Sequence, residues 1–217
     1  MQRKLQFNNQ ISFNLHHICY YFSRSQEWDH DRQLIIDFKN NKESAVRHFV
    51  IKALATLEFH QIDEELVIIR SLSSKETVST TDPTPLDRLG KSLATVFDCT
   101  YYPGILRKTR IIKPLKGLSL HERTDELKSV YELDTEMFNF NFRKVLIIDD
   151  VVTTGATVSA IIQRILQHFP DARIELFSLA WTPTTAQQLH IQKEMKYSTS
   201  ILEEPNINYG HRGNGEL

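Results

Sequence analysis

The stretch that decides the fold is Arg143–Leu166, RKVLIIDDVVTTGATVSAIIQRIL. It contains four consecutive apolar residues, Val145–Ile148, which predict a strand that is covered on both faces. Two acids, Asp149 and Asp150, follow directly, and a loop of threonines around one glycine comes next. From Ala156 onward the apolar residues recur at helical spacing. The stretch therefore predicts a strand, a tight turn and a helix, with two carboxylates at the end of the strand.

Strand and helix patterns alternate along the rest of the chain. Leu66–Ile69 is a compact β-rich run, and Lys42–Phe59 and Pro85–Phe97 carry apolar residues at helical spacing. Ser119 and Glu122 form an S-x-x-E capping box, which predicts the start of a helix over SLHERTDELKSVYEL. Alternation of this kind predicts an α/β sheet with parallel neighbouring strands.

The composition is that of an ordinary globular chain. The 217 residues are 41% hydrophobic and 24% charged, with a net charge of −1, and they are enough for one substantial core. The near-neutral charge argues against a nucleic-acid partner, and no apolar run approaches the roughly 20 residues that span a membrane. Two cysteines, Cys19 and Cys99, cannot form a disulfide framework or a four-thiolate zinc site. We expect a cytoplasmic protein with a single domain over residues 1–217 and no signal peptide.

Asp149 and Asp150 lie where open parallel sheets gather their ligands, at the carboxyl ends of the strands. Because strand side chains alternate in direction, we expect the two carboxylates to diverge and to offer separate acceptor sites. Such sites suit sugar hydroxyls, or Mg²⁺ held partly through water. In the following loop, Gly155 allows a tight turn, and the next helix directs free amides at an anion. The combination predicts a site for a phosphorylated sugar.

The thirteen residues VLIIDDVVTTGAT resemble the signature of the type I phosphoribosyltransferases for phosphoribosyl pyrophosphate (PRPP), and they agree with it at every position. The resemblance implies an α/β, three-layer fold with a mostly parallel twisted sheet and a small variable hood, formed by residues 1–30, 182–217 or both. It implies that Asp149 and Asp150 bind the ribose 2- and 3-hydroxyls and act in catalysis. It also implies a 5-phosphate cradle made of Val152, Thr153, Thr154, Gly155, Ala156 and Thr157.

Within this family the chain is most similar to the ComF (competence protein F) group, over roughly residues 31–181. The similar segments outside the signature are LIIDFKNNKESAVRHFVIKAL and LRKTRIIKPLKGLSLHERTDELKSVYEL. ComF-like proteins usually begin with a cysteine-rich, metal-binding segment. This chain has no such segment, so a structural zinc ion is not expected, although its nine histidines leave weaker metal sites open.

Two further phosphate-binding elements are implied by the resemblance. The loop after the first core strand, IIRSLSSKE, would hold pyrophosphate through Arg70, Ser71 and Ser73, and the alternative is a surface loop with a solvated arginine. The basic segment RKTRIIKPLKGLSLHER would close over the substrate as a lid, with Lys113 and Arg123 as the best candidates for contact with pyrophosphate. The alternative is a solvated connector.

The function implied by the resemblance is transfer of the 5-phosphoribosyl group from PRPP to a nitrogenous base or amine, with release of pyrophosphate. Mg²⁺ would be the cofactor, bound by PRPP rather than directly by protein ligands, and Asp149 or Asp150 would reach it through water. Two alternatives stay open: a non-catalytic regulator that senses PRPP or a nucleotide, and a ComF-like accessory factor in DNA uptake. The acceptor and a homodimeric state are left open by the sequence.

Overall fold

The structure is a computed structural model that describes residues 1–7, 11–22, 29–57, 66–78, 82–113, 117–136, 138–185, 187–188 and 191. Its contacts divide the chain into two units, Met1–Thr182 and Pro183–Leu217. The sheet and the candidate site belong to the first unit. In the second unit, the backbone amide of Thr184 donates to Gln187 Oε1 over 3.0 Å. Most of the predicted tail lies outside the described residues, and the single domain and its hood stay predictions.

Eight strands and five helices are found in the described part of the first unit. The strands are β1 (Gln2–Phe7), β2 (Ile11–Tyr20), β3 (Leu66–Arg70), β4 (Thr100–Tyr101), β5 (Leu106–Lys108), β6 (Tyr131–Leu133), β7 (Lys144–Val152) and β8 (Arg173–Trp181). The helices are α1 (Asp29–Lys39), α2 (Glu43–Leu57), α3 (Pro85–Val96), α4 (Leu120–Leu127) and α5 (Ala156–His168). No helix in these ranges combines the length and the apolar character that crossing a membrane requires.

Six of the strands form one sheet in the order β1-β2-β8-β7-β3-β4. Strands β2, β8, β7, β3 and β4 are parallel to one another, and β1 pairs with β2 in the antiparallel direction at one edge. β5 and β6 form a separate antiparallel pair. The predicted α/β fold with a mostly parallel sheet is confirmed. The carboxyl ends of the five parallel strands lie at the same edge of the sheet, where the acids of β7 are found.

Helices cover both faces of the sheet. On one face, α1, α2 and α3 share a core with Leu146 and Ile148 of β7. The alternate residues Val145 and Ile147 are also fully buried, so the opposite face of β7 is covered as well. Helix α5 contacts β7 and buries Val158, Ile161, Ile162 and Ile165. A strand with no exposed face accounts for the unbroken apolar run in the sequence.

The segment after α4 differs from the prediction. The sequence pattern predicts one helix over Ser119–Leu133, and the capping box at Ser119 is confirmed. The helix, however, ends at Leu127, and Tyr131–Leu133 forms β6. The chain turns at Ser129, whose φ of 55° lies in the left-handed region, and β6 pairs with β5. Tertiary pairing of this short run therefore overrides the local helical pattern.

Candidate functional site

The carboxyl edge of the parallel strands opens onto a cavity of about 570 Å³. Its wall includes the ends of β3 and β7, the loop after β3, the end of α1 and the start of α3, and is completed by Ile112, Tyr131 of β6 and Thr157 of α5. This is the place where parallel α/β sheets gather ligands. Six of the residues predicted from the sequence line the cavity: Arg70, Ser71, Ser73, Asp149, Asp150 and Thr157.

The two acids at the end of β7 have different partners. Ser71 Oγ donates to Asp149 Oδ1 over 2.6 Å, and the backbone amide of Asp150 donates to the same oxygen over 2.9 Å. Lys39 Nζ lies 3.0 Å from Asp150 Oδ2. The predicted divergence is confirmed, since Asp149 faces the loop after β3 and Asp150 faces α1. Because a carboxylate has about four acceptor positions, both side chains retain capacity for ligand hydroxyls.

The Asp149 carboxyl has an unusual protonation equilibrium. Burial, and then the neighbouring charge of Asp150, raise the pKa of Asp149 to about 7. The hydrogen bonds from Ser71 and the Asp150 amide act in the opposite direction, as does the charge of Lys39. Asp149 therefore exchanges its proton near neutral pH, a property that is common among functional carboxyl groups.

The turn between β7 and α5 is built around Gly155. This residue has a φ of 78°, in the left-handed region that favours glycine, and it provides no side-chain cap for α5. Thr153 and Thr154 are exposed beside it. Val152 is 2% exposed, so its backbone rather than its side chain is available to a ligand. The threonine hydroxyls and the first amides of α5 are the donors that the sequence assigned to a 5-phosphate.

Arg123 contacts this threonine loop. Its Nη1 atom donates to Thr153 Oγ1 over 2.9 Å and to Thr154 Oγ1 over 3.4 Å. Its Nε atom donates to Leu118 O over 2.9 Å, and the capping box at Ser119 fixes the start of α4 just before it. The guanidinium thus adds a positive charge to a group of neutral donors. The sequence assigned Arg123 to pyrophosphate, whereas the structure places it beside the predicted 5-phosphate cradle.

Arg70 organises the loop after β3. Its side chain is 1% exposed, and its Nε atom donates to Asp87 Oδ1 over 2.6 Å. Nη2 donates to Glu76 Oε1 over 2.8 Å, and Nη1 donates to Ser71 O over 3.0 Å. Glu76 also accepts a hydrogen bond from the Ser73 amide over 2.7 Å. The alternative of a solvated arginine is therefore wrong, because the guanidinium is buried and holds both ends of residues 71–76. Contact of Arg70 with pyrophosphate stays a prediction.

Asp87, near the start of α3, is the buried partner of Arg70. It is 2% exposed and accepts further hydrogen bonds from Thr84 Oγ1 and from Tyr101 Oη, each over 2.7 Å. Burial raises the pKa of Asp87, but the hydrogen bonds outweigh burial and the pKa is lowered. Gly90 makes room for the Tyr101 ring, since a Cβ atom there would lie 2.4 Å from Tyr101 Cε2. Asp87 therefore stays ionised opposite Arg70. The sequence predicted only a helix over Pro85–Phe97 here, and the buried ion pair was missed.

Lys108 lies behind the loop after β3. It is 4% exposed, and its Nζ atom donates to Leu72 O over 2.9 Å and to Ser73 O over 2.6 Å. Burial lowers the pKa of Lys108 to about 8, although the charges of Glu76 and Asp149 raise it. From the sequence, Lys108 was one of several cations in a basic loop. The basic residues of LRKTR look alike in the sequence, so the burial of Lys108 could not be predicted. Lys108 instead fixes two carbonyl groups of the candidate pyrophosphate loop.

The predicted lid is described only in part. Lys113 is exposed and does not line the cavity, and its backbone amide donates to Glu126 Oε1 over 2.9 Å. Arg110 Nη1 donates to the same oxygen over 2.7 Å. Residues 114–116 lie outside the described residues. The lid and the contact of Lys113 with pyrophosphate stay predictions.

Comparison with known proteins gives one curated relative. Competence protein F of Haemophilus influenzae is 29% identical to this chain over 94 residues, which is 43% of this chain and 41% of that protein. The chain thus spans about two fifths of the relative that it matches. No family model matches the chain. The predicted resemblance to the ComF group is confirmed in this partial form.

Among solved structures the chain is similar to several phosphoribosyltransferases. An adenine phosphoribosyltransferase gives a TM-score of 0.44 at 14% identity, covering 70% of this chain and 78% of that one. The adenine phosphoribosyltransferase of Trypanosoma brucei gives a TM-score of 0.41 at 13% identity, covering 82% of this chain and 76% of that one. The adenine phosphoribosyltransferase of Thermoanaerobacter pseudethanolicus gives a TM-score of 0.41 at 14% identity, covering 83% of this chain and 95% of that one.

Proposed function

We propose that the chain binds PRPP and transfers its 5-phosphoribosyl group to a nitrogenous base or amine, releasing pyrophosphate. The observation that carries the proposal is the meeting of two features at one edge of the sheet. Asp149 and Asp150 line a cavity of about 570 Å³, and the threonine loop at the start of α5 lies next to them in the chain. Acceptors for sugar hydroxyls beside donors for a phosphate match a phosphorylated ribose.

Each part of the substrate has a place in this arrangement. The 5-phosphate lies on the threonine loop and Arg123, the ribose hydroxyls donate to Asp149 and Asp150, and the diphosphate reaches the loop 71–76. The bond between C1 and the diphosphate oxygen breaks as an acceptor nitrogen bonds to C1. The bonding electrons leave with pyrophosphate, and the N–H proton of the acceptor passes to the departing pyrophosphate or to solvent. The two carboxylates stabilise positive charge that develops on the sugar. Catalysis here depends on positioning and electrostatics, so no separate catalytic base is required.

Mg²⁺ enters this proposal with the substrate. Within the described ranges, no three His, Cys, Asp or Glu side chains converge on one point. Asp149 and Asp150 nevertheless fit an ion that retains several waters and is bound mainly by phosphate oxygens. When bound, Mg²⁺ would offset the negative charge of the diphosphate. We also propose a cytoplasmic location and a role in nucleotide metabolism.

A second candidate function is a sensor that binds PRPP without turnover. The observation that favours it is the pairing of Arg70, the cation expected at pyrophosphate, with Asp87 and Glu76. A leaving group in this cavity would have fewer unpaired cations to stabilise it. A third candidate, an accessory factor in DNA uptake, is favoured by the similarity to Competence protein F.

Pyrophosphate release separates these three candidates. The full chain is incubated with Mg²⁺ and PRPP against a panel of purines, pyrimidines and small amines, and binding of PRPP is measured in parallel by calorimetry. Release that depends on one acceptor supports the transferase. Binding without release supports the sensor. Absence of PRPP binding, together with salt-dependent DNA binding, supports the accessory factor.

The placement of Arg123 gives a prediction that distinguishes the two phosphate sites. The change Arg123→Met is expected to weaken binding of ribose 5-phosphate about 10- to 100-fold, because a charge-assisted hydrogen bond contributes about 1.5–3 kcal/mol. Binding of pyrophosphate should change far less. Calorimetric titration with each ligand checks this. Arg110→Met is the matched control, since Arg110 is an exposed arginine of the same segment that pairs with Glu126. An equal loss for both ligands would contradict the placement.

The raised pKa of Asp149 gives a prediction for stability against pH. An unfolded aspartate has a pKa of about 3.9, so between about pH 4 and the native pKa of about 7 the unfolded chain has lost a proton that the native chain retains. The contribution of Asp149 to stability therefore falls as the pH rises through this window and is constant above it. In urea unfolding, the free energy of unfolding of Asp149→Asn should rise relative to that of the wild type between pH 4 and pH 7. If the difference in free energy of unfolding between the variant and the wild type does not change with pH, the pKa of Asp149 is not raised.

A further inference from the structure

The wall of the cavity contains a tyrosine that the predicted roles leave unused. Tyr131, the first residue of β6, is 3% exposed and lines the cavity. Its hydroxyl has no hydrogen-bond partner among the residues that the structure describes. Burying a hydroxyl without a partner is unfavourable, and such groups in native proteins usually have one. Because Tyr131 also lines the candidate site, its hydroxyl is placed to bond to a ligand held there.

The surroundings of Tyr131 define the chemistry of that partner. Lys108 Nζ lies 5.5 Å from the centre of the Tyr131 ring and donates to the carbonyls of Leu72 and Ser73, so Tyr131 lies behind the candidate pyrophosphate loop. Burial, and then the charge of Asp149, raise the pKa of Tyr131. The phenol is therefore neutral at physiological pH and keeps its proton as a donor. A neutral donor near a buried ammonium group suits an anionic oxygen.

We propose that Tyr131 is a substrate-binding residue whose hydroxyl donates a hydrogen bond to an oxygen of the diphosphate group of bound PRPP. This inference rests on the proposed function and adds to it a residue outside both the signature and the loop 71–76. The ribose is the less suitable partner, because its hydroxyls are donors for which Asp149 and Asp150 already provide acceptors. Tyr131 instead complements the anionic leaving group.

The change Tyr131→Phe tests the proposal, since it removes one oxygen and keeps the ring. We expect the affinity for Mg²⁺·pyrophosphate to fall about tenfold, as for the loss of one hydrogen bond to a charged group. The affinity for ribose 5-phosphate should not change. The urea midpoint of the ligand-free variant should be equal to or above that of the wild type, because an unpaired hydroxyl is removed. Tyr102→Phe is the control, since the Tyr102 ring packs against Phe138 at a tilt of 45° and Tyr102 does not line the cavity.

Three results would overturn the Tyr131 inference while leaving the proposed function in place. An unchanged affinity for Mg²⁺·pyrophosphate would show that the hydroxyl does not contact the diphosphate. A loss that is confined to ribose 5-phosphate would assign the hydroxyl to the sugar. A lower urea midpoint for Tyr131→Phe would show that the hydroxyl already has a partner in the free protein. If the wild-type chain binds no PRPP, the proposed function itself fails. The three results above refute the Tyr131 inference alone, because they are obtained with a wild type that binds PRPP.

Discussion

The double change Asp149→Asn with Asp150→Asn is expected to lower the affinity for Mg²⁺·PRPP by at least about 100-fold while the chain stays folded. Each carboxylate is proposed to accept a ribose hydroxyl, and a hydrogen bond to a charged acceptor contributes about 1.5–3 kcal/mol. Folding should survive because the amide oxygen that replaces the Asp149 carboxylate can still accept from Ser71, and repulsion between the two acids is removed. Calorimetric titration and circular dichroism measure the two effects.

The control for this experiment is Asp98→Asn, which removes an acid away from the cavity. Asp98 has a φ of 48°, a left-handed conformation that asparagine tolerates, so the control should not disturb folding. Its affinity for Mg²⁺·PRPP should equal that of the wild type. If the double variant also binds like the wild type, the assignment of Asp149 and Asp150 to the ribose is wrong.

The second large effect is expected on stability. The change Arg70→Met should lower the free energy of unfolding by about 3–5 kcal/mol, because it leaves buried carboxylates without their charge partner. Asp87 and Glu76, whose side chains are 2% and 13% exposed, both pair with this guanidinium. The variant also loses the hydrogen bond to Ser71 O that holds the loop after β3. Urea unfolding monitored by circular dichroism provides the measurement.

Two further arginine variants make this result specific. Arg88→Met removes a cation whose partner Glu43 is 76% exposed, and such pairs contribute only about 0–1 kcal/mol. Arg70→Lys keeps the charge but loses the planar, multiply donating guanidinium. Its free energy of unfolding should therefore lie between those of Arg70→Met and the wild type. If Arg70→Met does not fold, the unfolding of Arg70→Lys can still be measured and compared with that of Arg88→Met. Equal losses for Arg70→Met and Arg88→Met would show that burial of the Arg70 pairs contributes nothing.

The sequence predicted those parts of the molecule that depend on local patterns. The apolar run Val145–Ile148 is a strand with both faces covered, and Ser119 caps a helix as expected. The divergence of Asp149 and Asp150 follows from the alternation of side chains along a regular strand. Fold class and the relation of the acids to the threonine loop therefore follow from the order of residues along the chain.

Contacts between residues that are distant in the sequence could not be predicted from local patterns. Nothing near Arg70 in the sequence indicates that Asp87 will meet it in the interior, since the apolar spacing over Pro85–Phe97 predicts only a helix. Lys108 and Arg123 belong to one basic segment, and composition cannot separate a buried cation from one on a threonine loop. The end of α4 was missed because the pairing of β6 with β5 is a tertiary contact.

The position of β2 in the sheet has a consequence for the order in which the protein forms during synthesis. β2 lies between β1 and β8, so the strand Ile11–Tyr20 must pair with Arg173–Trp181, a strand more than 150 residues later in the chain. Contacts of such long sequence separation form late and slow folding. While the ribosome is still adding β8, an edge of β7 stays unpaired and is open to association with other nascent chains.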